Sequence, residues 1–169
     1  MKNFSKLIII LFFCTTPLSL FADNKTPNES AASIAQSLAD KNDVDGLVHL
    51  AMLYKKGIAG YSKDIDKAIE YLTIASDQHY AVANYNLGKL YEEGSDVKQD
   101  YAKAAKFYRL ASDKNHSKAQ KKLAKLYLKG LGVKEDKKES EKLFKLSKLN
   151  KQKGPAKLIR GISHITYKC

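Results

Sequence analysis

Leu87-Gly88-Lys89-Leu90-Tyr91-Glu92-Glu93-Gly94 occurs three times in this chain, with small variations. Upstream it reads Leu50-Ala51-Met52-Leu53-Tyr54-Lys55-Lys56-Gly57, and downstream Leu123-Ala124-Lys125-Leu126-Tyr127-Leu128-Lys129-Gly130. The shared tyrosines stand 37 and 36 residues apart. A second block follows each copy: Asp64-Ile65-Asp66-Lys67-Ala68, Asp100-Tyr101-Ala102-Lys103-Ala104 and Asp136-Lys137-Lys138-Glu139-Ser140, spaced by 36. The extra residue of the first copy falls between Gly57 and Asp64. A period of this length means stacked supersecondary units, each burying its apolar face against the next.

Each shared position has a physical role. Leu, Leu and Tyr at i, i+3 and i+4 form one apolar stripe of a first helix, and the Ala or Gly beside the first Leu lets a neighbouring helix approach. Gly57, Gly94 and Gly130 suit the left-handed conformation that ends a helix. Asp64, Asp100 and Asp136 stand where a side-chain oxygen caps a second helix. That second helix buries Ala68, Tyr71, Leu72 and Ala75 in the first copy, matched by Ala104, Phe107, Tyr108 and Ala111, then by Ser140, Leu143, Phe144 and Ser147. Small and large residues alternate, as stacked helices require. Tyr54, Tyr91 and Tyr127 are expected in the core, Tyr85 and Tyr101 at a contact surface.

Leu87 to Gly94 with Asp100 to Ala104, and Gly130-Leu131-Gly132-Val133 in the third loop, resemble the Sel-like repeat, a relative of the tetratricopeptide repeat. The resemblance implies an all-α fold: a right-handed α-solenoid of helix-turn-helix pairs with capping helices, its three repeats at residues 45–80, 81–116 and 117–150. His79 and Asn115 stand where the family has Gly after the second helix, and both residue types tolerate the left-handed region better than most. The turn is expected to survive. Ser140 and Ser147 replace Ala, which predicts a looser or wetter third layer.

The ends read as caps. Ala31 to Asp40 aligns with a second helix, Leu38 and Asp40 taking the places of Ala75 and Asp77, so residues 23–44 form a tail and an N-terminal cap. Gly154-Pro155 opens a last short helix near Ala156 to Ile165, Pro suiting a first turn, so residues 151–169 form a C-terminal cap and tail. Residues 1–22 read as a secretory signal peptide: Lys2 and Lys6, the apolar run Leu7 to Phe13, and Ala22 before Asp23. The alternative is an uncleaved anchor. Export, to a bacterial periplasm or beyond the cell, is therefore expected, with no membrane span once the signal is removed. Phe12 and Phe13 before Cys14 argue against lipidation. Cys169 is then the lone cysteine, either an inert end or an intermolecular disulfide partner.

Charge divides the chain. Residues 23–113 hold 11 basic and 14 acidic residues, whereas residues 114–169 hold 17 basic and 4 acidic. Such asymmetry draws acidic partners at long range and weakens with salt. Nucleic acid is disfavoured by the export signal and by the lack of aromatic-basic interleaving. Catalysis has little support: His49, His79, His116 and His164 lie on different elements without metal-pair spacing, and the acidic pairs fit helix caps. No enzyme, cofactor or metal is expected.

In tetratricopeptide-like solenoids the first helices line a concave groove. The positions flanking the shared Leu by two are Val48 and Met52, Tyr85 and Lys89, Lys121 and Lys125, with Lys118 and Lys129 nearby. The groove would pass from apolar to basic, and Lys121, Lys125 and Lys129 recur at i, i+4 and i+8 as a ladder on one face. Two functions follow as expectations. One is an exported non-enzymatic adaptor that holds a protein or peptide partner, acidic in character, in that groove. The other is an envelope-associated factor whose basic half docks on anionic lipid or cell-wall polymer.

Overall fold

A computed structural model describes residues 27–152. Seven helices follow one another: α1 (Pro27–Asp40), α2 (Val44–Lys56), α3 (Ile65–Asp77), α4 (Ala81–Glu93), α5 (Tyr101–Asp113), α6 (Ser117–Lys129) and α7 (Lys137–Gln152). No strand occurs among the described residues. The expected signal peptide, the expected terminal helix near residues 156–165 and both cysteines lie outside them. Each helix packs on the next, so the pairs α2/α3, α4/α5 and α6/α7 stack as three repeats behind a lone α1. That helix ends at Asp40 as α3 ends at Asp77, in the register of a second helix, and it begins four residues before Ala31.

The repeated polar residues set the helix boundaries. Asp64, Asp100 and Asp136 accept the backbone N–H of Lys67, Lys103 and Glu139 at 3.0, 2.9 and 2.9 Å, each satisfying a donor that the first turn leaves free. First helices end on left-handed Gly57, Gly94 and Gly130, φ 65°, 62° and 64°. After the second helices, His79 and Asn115 adopt φ 60° and 61°, and Asn42 after α1 adopts 58°. The expected turn is present without glycine.

The core runs as two clusters. The first joins Leu47, Val48, Ala51, Leu72, Ala83 and Leu87; the second joins Ala104, Tyr108, Leu123, Ala124, Leu126 and Leu143. Complete burial of each leucine contributes about 2 kcal/mol. Gly88 has a packing role: a Cβ there would lie 2.6 Å from the Tyr108 ring. Tyr108 is fully buried, where the first repeat has Leu72.

Polar groups are threaded through the repeat junctions. Asn84 and Gln120 occupy the place of Leu47 and are buried. Ser76 Oγ donates to Asn84 Oδ1 at 2.8 Å, Gln120 Nε2 donates to the Ser112 carbonyl at 3.2 Å, and Asn150 Nδ2 donates to Gln120 Oε1 at 3.0 Å. Among the described residues no buried side-chain nitrogen or oxygen lacks a partner, as low-dielectric interiors demand.

Two expectations need correction. The looser third layer holds at Ser147, half-buried where Ala75 and Ala111 are fully buried, but not at Ser140, which is buried with its Oγ donating to the Ala124 carbonyl at 2.8 Å. Tyr54, Tyr91 and Tyr127 are half-buried instead of core. A cation covers each ring, Lys67 at 5.1 Å, Lys103 at 5.0 Å and Arg109 at 5.7 Å from the centroid. A tyrosine at the helix end keeps its hydroxyl near water while its ring packs, and the apolar stripe alone does not reveal this.

Candidate partner-binding site

Because α6 buries Ala119, Gln120, Leu123, Ala124 and Leu126, its remaining face must turn outward. Lys118, Lys121, Lys125 and Lys129 are exposed there. None of them forms an ion pair among the described residues. Residues four apart on a helix are about 6 Å apart between Cβ atoms, so these ammonium groups repel one another and an anion relieves them.

Tyr85 of α4 and four α6 lysines, Lys118, Lys121, Lys122 and Lys125, enclose a pocket of about 220 Å³. The tyrosine is held in place from two sides: its ring lies 4.8 Å from the His116 ring and 5.9 Å from the Tyr108 ring. His116 is the N-cap of α6, its Nδ1 accepting the Ala119 N–H at 3.2 Å. Burial, and then the nearby Lys118 charge, lowers its pKa, which keeps Nδ1 free to accept. The cap and the pocket wall are therefore one structure.

Lys122, which sequence reading missed, has a different role. Its Nζ lies 2.8 Å from Glu92 Oε2, the oxygen that also accepts the Tyr108 hydroxyl proton. Burial in the first place, and the Glu92 bond after it, pushes the Tyr108 phenol well above its ordinary pKa. This chain ties α5, α4 and α6 together beneath the lysine face. The signal for Lys122 lay in its column, since His49 and Asn86 at the matching positions are also polar.

The other predicted residues separate from this group. Val48 is buried, at 8% exposure, in the cluster with Leu47, Ala51 and Leu72, so it does not stand on an open groove. Met52 is half-buried and packs on the same cluster. Lys89 pairs with Glu93 at 3.4 Å, and Lys55 of α2 reaches the same carboxylate at 3.7 Å. Lys129 lines an adjoining depression of about 350 Å³ with Glu92, Glu93, Tyr101 and Lys125. The first two repeats thus bury or neutralise this face, and only the third leaves it cationic.

The profile of the Sel1 repeat matches residues 44–80, 81–116 and 117–150. The chain belongs to the Sel1 repeat family. Sel1 repeat proteins generally mediate protein–protein interaction, and the family is generally of the non-enzymatic scaffold type. Three solved structures share the solenoid. A protective antigen of uropathogenic Escherichia coli strains with an SLR fold is 34% identical, with TM-score 0.66, 70% of this chain and 25% of that one covered. A Sel1 repeat protein of Oxalobacter formigenes is 29% identical, with TM-score 0.65, 77% of this chain and 51% of that one covered. Cysteine rich protein B of Helicobacter pylori, at 24% identity and TM-score 0.58 with coverage of 76% and 92%, shares the fold. This Sel1 repeat chain therefore spans a quarter and about half of the first two proteins. No curated protein matches it. Within the described part of the Sel1 solenoid no helix is long and apolar enough to cross a membrane.

Proposed function

We propose that this protein is an exported, non-catalytic adaptor that holds an acidic segment of a partner protein against Tyr85 and the lysines of α6. One observation carries the reading: Lys118, Lys121 and Lys125 surround an aromatic ring, expose their ammonium groups and have no acidic partner in the described chain. Their alkyl stems and the Tyr85 ring offer apolar contact, and the charged heads offer charge-assisted bonds to carboxylates. Export rests on the basic and apolar features of residues 1–22.

A second reading has its own support. Lys138, Lys145 and Lys148 of α7 are also exposed and unpaired among the described residues, which favours diffuse attraction of the basic half to an anionic envelope surface. Titration with a labelled acidic peptide carrying one aliphatic side chain, beside vesicles of anionic lipid, separates the two. The adaptor reading expects saturable peptide binding that persists at about 0.15 M salt, where screening acts over about 8 Å. Vesicle binding without saturable peptide binding would overturn it.

A further inference from the structure

At one loop position the first repeat differs from the other two, and a further pocket lies beside that position in the third. In the first repeat the ring of Tyr61 meets Tyr54 edge-on, with centroids 4.8 Å apart at 73°, and its hydroxyl donates to Gln36 Oε1 on α1 at 3.2 Å. The matching residues of the third repeat are Val133 for Tyr61, Tyr127 for Tyr54 and Arg109 for Gln36. Valine supplies no ring. A pocket of about 540 Å³ stands between Arg109, Tyr127 and Val133, completed by Lys134, Glu135 and Asp136. The second repeat, with Val97 at the same position, has a smaller one of about 330 Å³ beside Tyr91. Where the loop provides an aromatic ring it packs against the shared tyrosine, and where it provides valine a pocket stands there.

The charges around the larger pocket specify more. Gln36 accepts the Tyr61 proton, but a guanidinium only donates. Arg109 lies over the Tyr127 ring at 5.7 Å and donates to its hydroxyl. The two carboxylates are already engaged, Asp136 capping α7 through the Glu139 N–H at 2.9 Å and Glu135 pairing with Lys137 at 3.6 Å. Arg109 and Lys134 have no acidic partner among the described residues. We propose that the Arg109–Tyr127–Val133 pocket receives an aromatic side chain of a partner protein that carries a carboxylate beside it, doing between chains what Tyr61 does within the first repeat. It shares no lining residue with the lysine pocket at Tyr85, so the two sites stand or fall separately.

The test is amide-shift mapping of the ¹⁵N-labelled protein with N-acetyl-tryptophan and with its neutral amide. A single side chain of this size is expected to bind in the millimolar range, order of magnitude. Saturable shifts should centre on Tyr127, Val133 and Arg109 and spare Tyr54 and Tyr61, which serve as an internal control. The neutral amide should bind about fivefold more weakly, as loss of one exposed charge pair implies. The double variant Arg109→Gln with Val133→Tyr copies the first repeat and should lose the response. Should it fail to fold, Arg109→Gln alone should remove the preference for the acid over the amide. Shifts at Tyr54 and Tyr61 as large as those at Tyr127, an unchanged response in the folded double variant, or a preference for the acid that survives Arg109→Gln would each overturn the proposal.

Discussion

In the first repeat Val48 is buried and Met52 packs on the core, while at the matching places of the third repeat Lys121 and Lys125 stand exposed and, among the described residues, without an ion pair. The same face of the first helix thus lies against the core in one copy and at the surface in the other. Intermediate between them, the second repeat supplies Tyr85 as pocket wall and Glu92 and Glu93 as counter-charges. Positions shared by all copies carry the solenoid, and positions that differ carry whatever the solenoid binds.

The loops offer the sharpest way to break that comparison. Gly132 and Gly60 both have positive φ, at 66° and 85°. A Cβ at Gly132 would lie 2.2 Å from the Tyr101 carbonyl carbon, whereas one at Gly60 meets nothing within 4 Å. Gly132→Ala is expected to cost about 3 kcal/mol or more, from backbone overlap added to left-handed strain. Gly60→Ala carries the strain alone, about 1 kcal/mol. Urea unfolding of both variants measures the gap, and equal losses would show that the two loops pack alike.

A smaller effect is expected at Tyr108, whose hydroxyl has no counterpart in Leu72. Tyr108→Phe should lose about 1 to 2 kcal/mol, because the Glu92 carboxylate keeps Lys122 but loses a buried donor. Denaturant unfolding reads it, and binding of the acidic peptide should weaken as well if this chain holds the lysine face in place. A variant as stable as the parent would remove the chain from the account.

Helix caps give the mildest contrast. Asp43, Tyr80 and His116 are the N-caps of α2, α4 and α6, and of the three only His116 carries an imidazole. Its folded pKa is lowered by burial and by Lys118, so the unfolded chain binds the proton more readily. Its contribution is therefore complete above about pH 6.5 and declines as pH falls through the depressed folded value. Thermal melts from pH 7.5 to 5.5 should show a drop that His116→Asn reduces. Tyr80 works in the opposite direction: its hydrogen bond to Asp45, followed by burial, raises it to about 12, so its contribution is present below about pH 10 and lost as pH rises toward 12.

Most of the fold was legible because it is periodic. Leu50, Leu87 and Leu123 with the capping Asp64, Asp100 and Asp136 repeat at fixed spacing, and one-dimensional periodicity translates directly into stacked helices. Left-handed His79 and Asn115 were legible for the same reason. The site was legible in part. Tyr85, Lys121 and Lys125 were read from their columns, with Lys118 as a neighbour, and the four do meet around one pocket, but the assumption that a column is equally exposed in every copy failed at Val48. Burial depends on which helix comes next, and that is a property of the stack, not of the repeat. Lys122, Tyr61 and Arg109 escaped notice because their partners lie 30, 25 and 18 residues away, beyond any local pattern.

The central claim is that binding is local to the third repeat's first helix and is not a general effect of positive charge. Fluorescence anisotropy of a labelled acidic peptide, at about 0.15 M salt, compares two triple variants of equal charge: Lys118, Lys121 and Lys125→Glu on α6, and Lys138, Lys145 and Lys148→Glu on α7. The account predicts a loss of about tenfold or more for the α6 variant, from three lost ion pairs of up to about 1 kcal/mol each, and a change under about threefold for the α7 variant, whose charges act only through screened solvent. Equal loss from both, or none from the α6 variant, would contradict it.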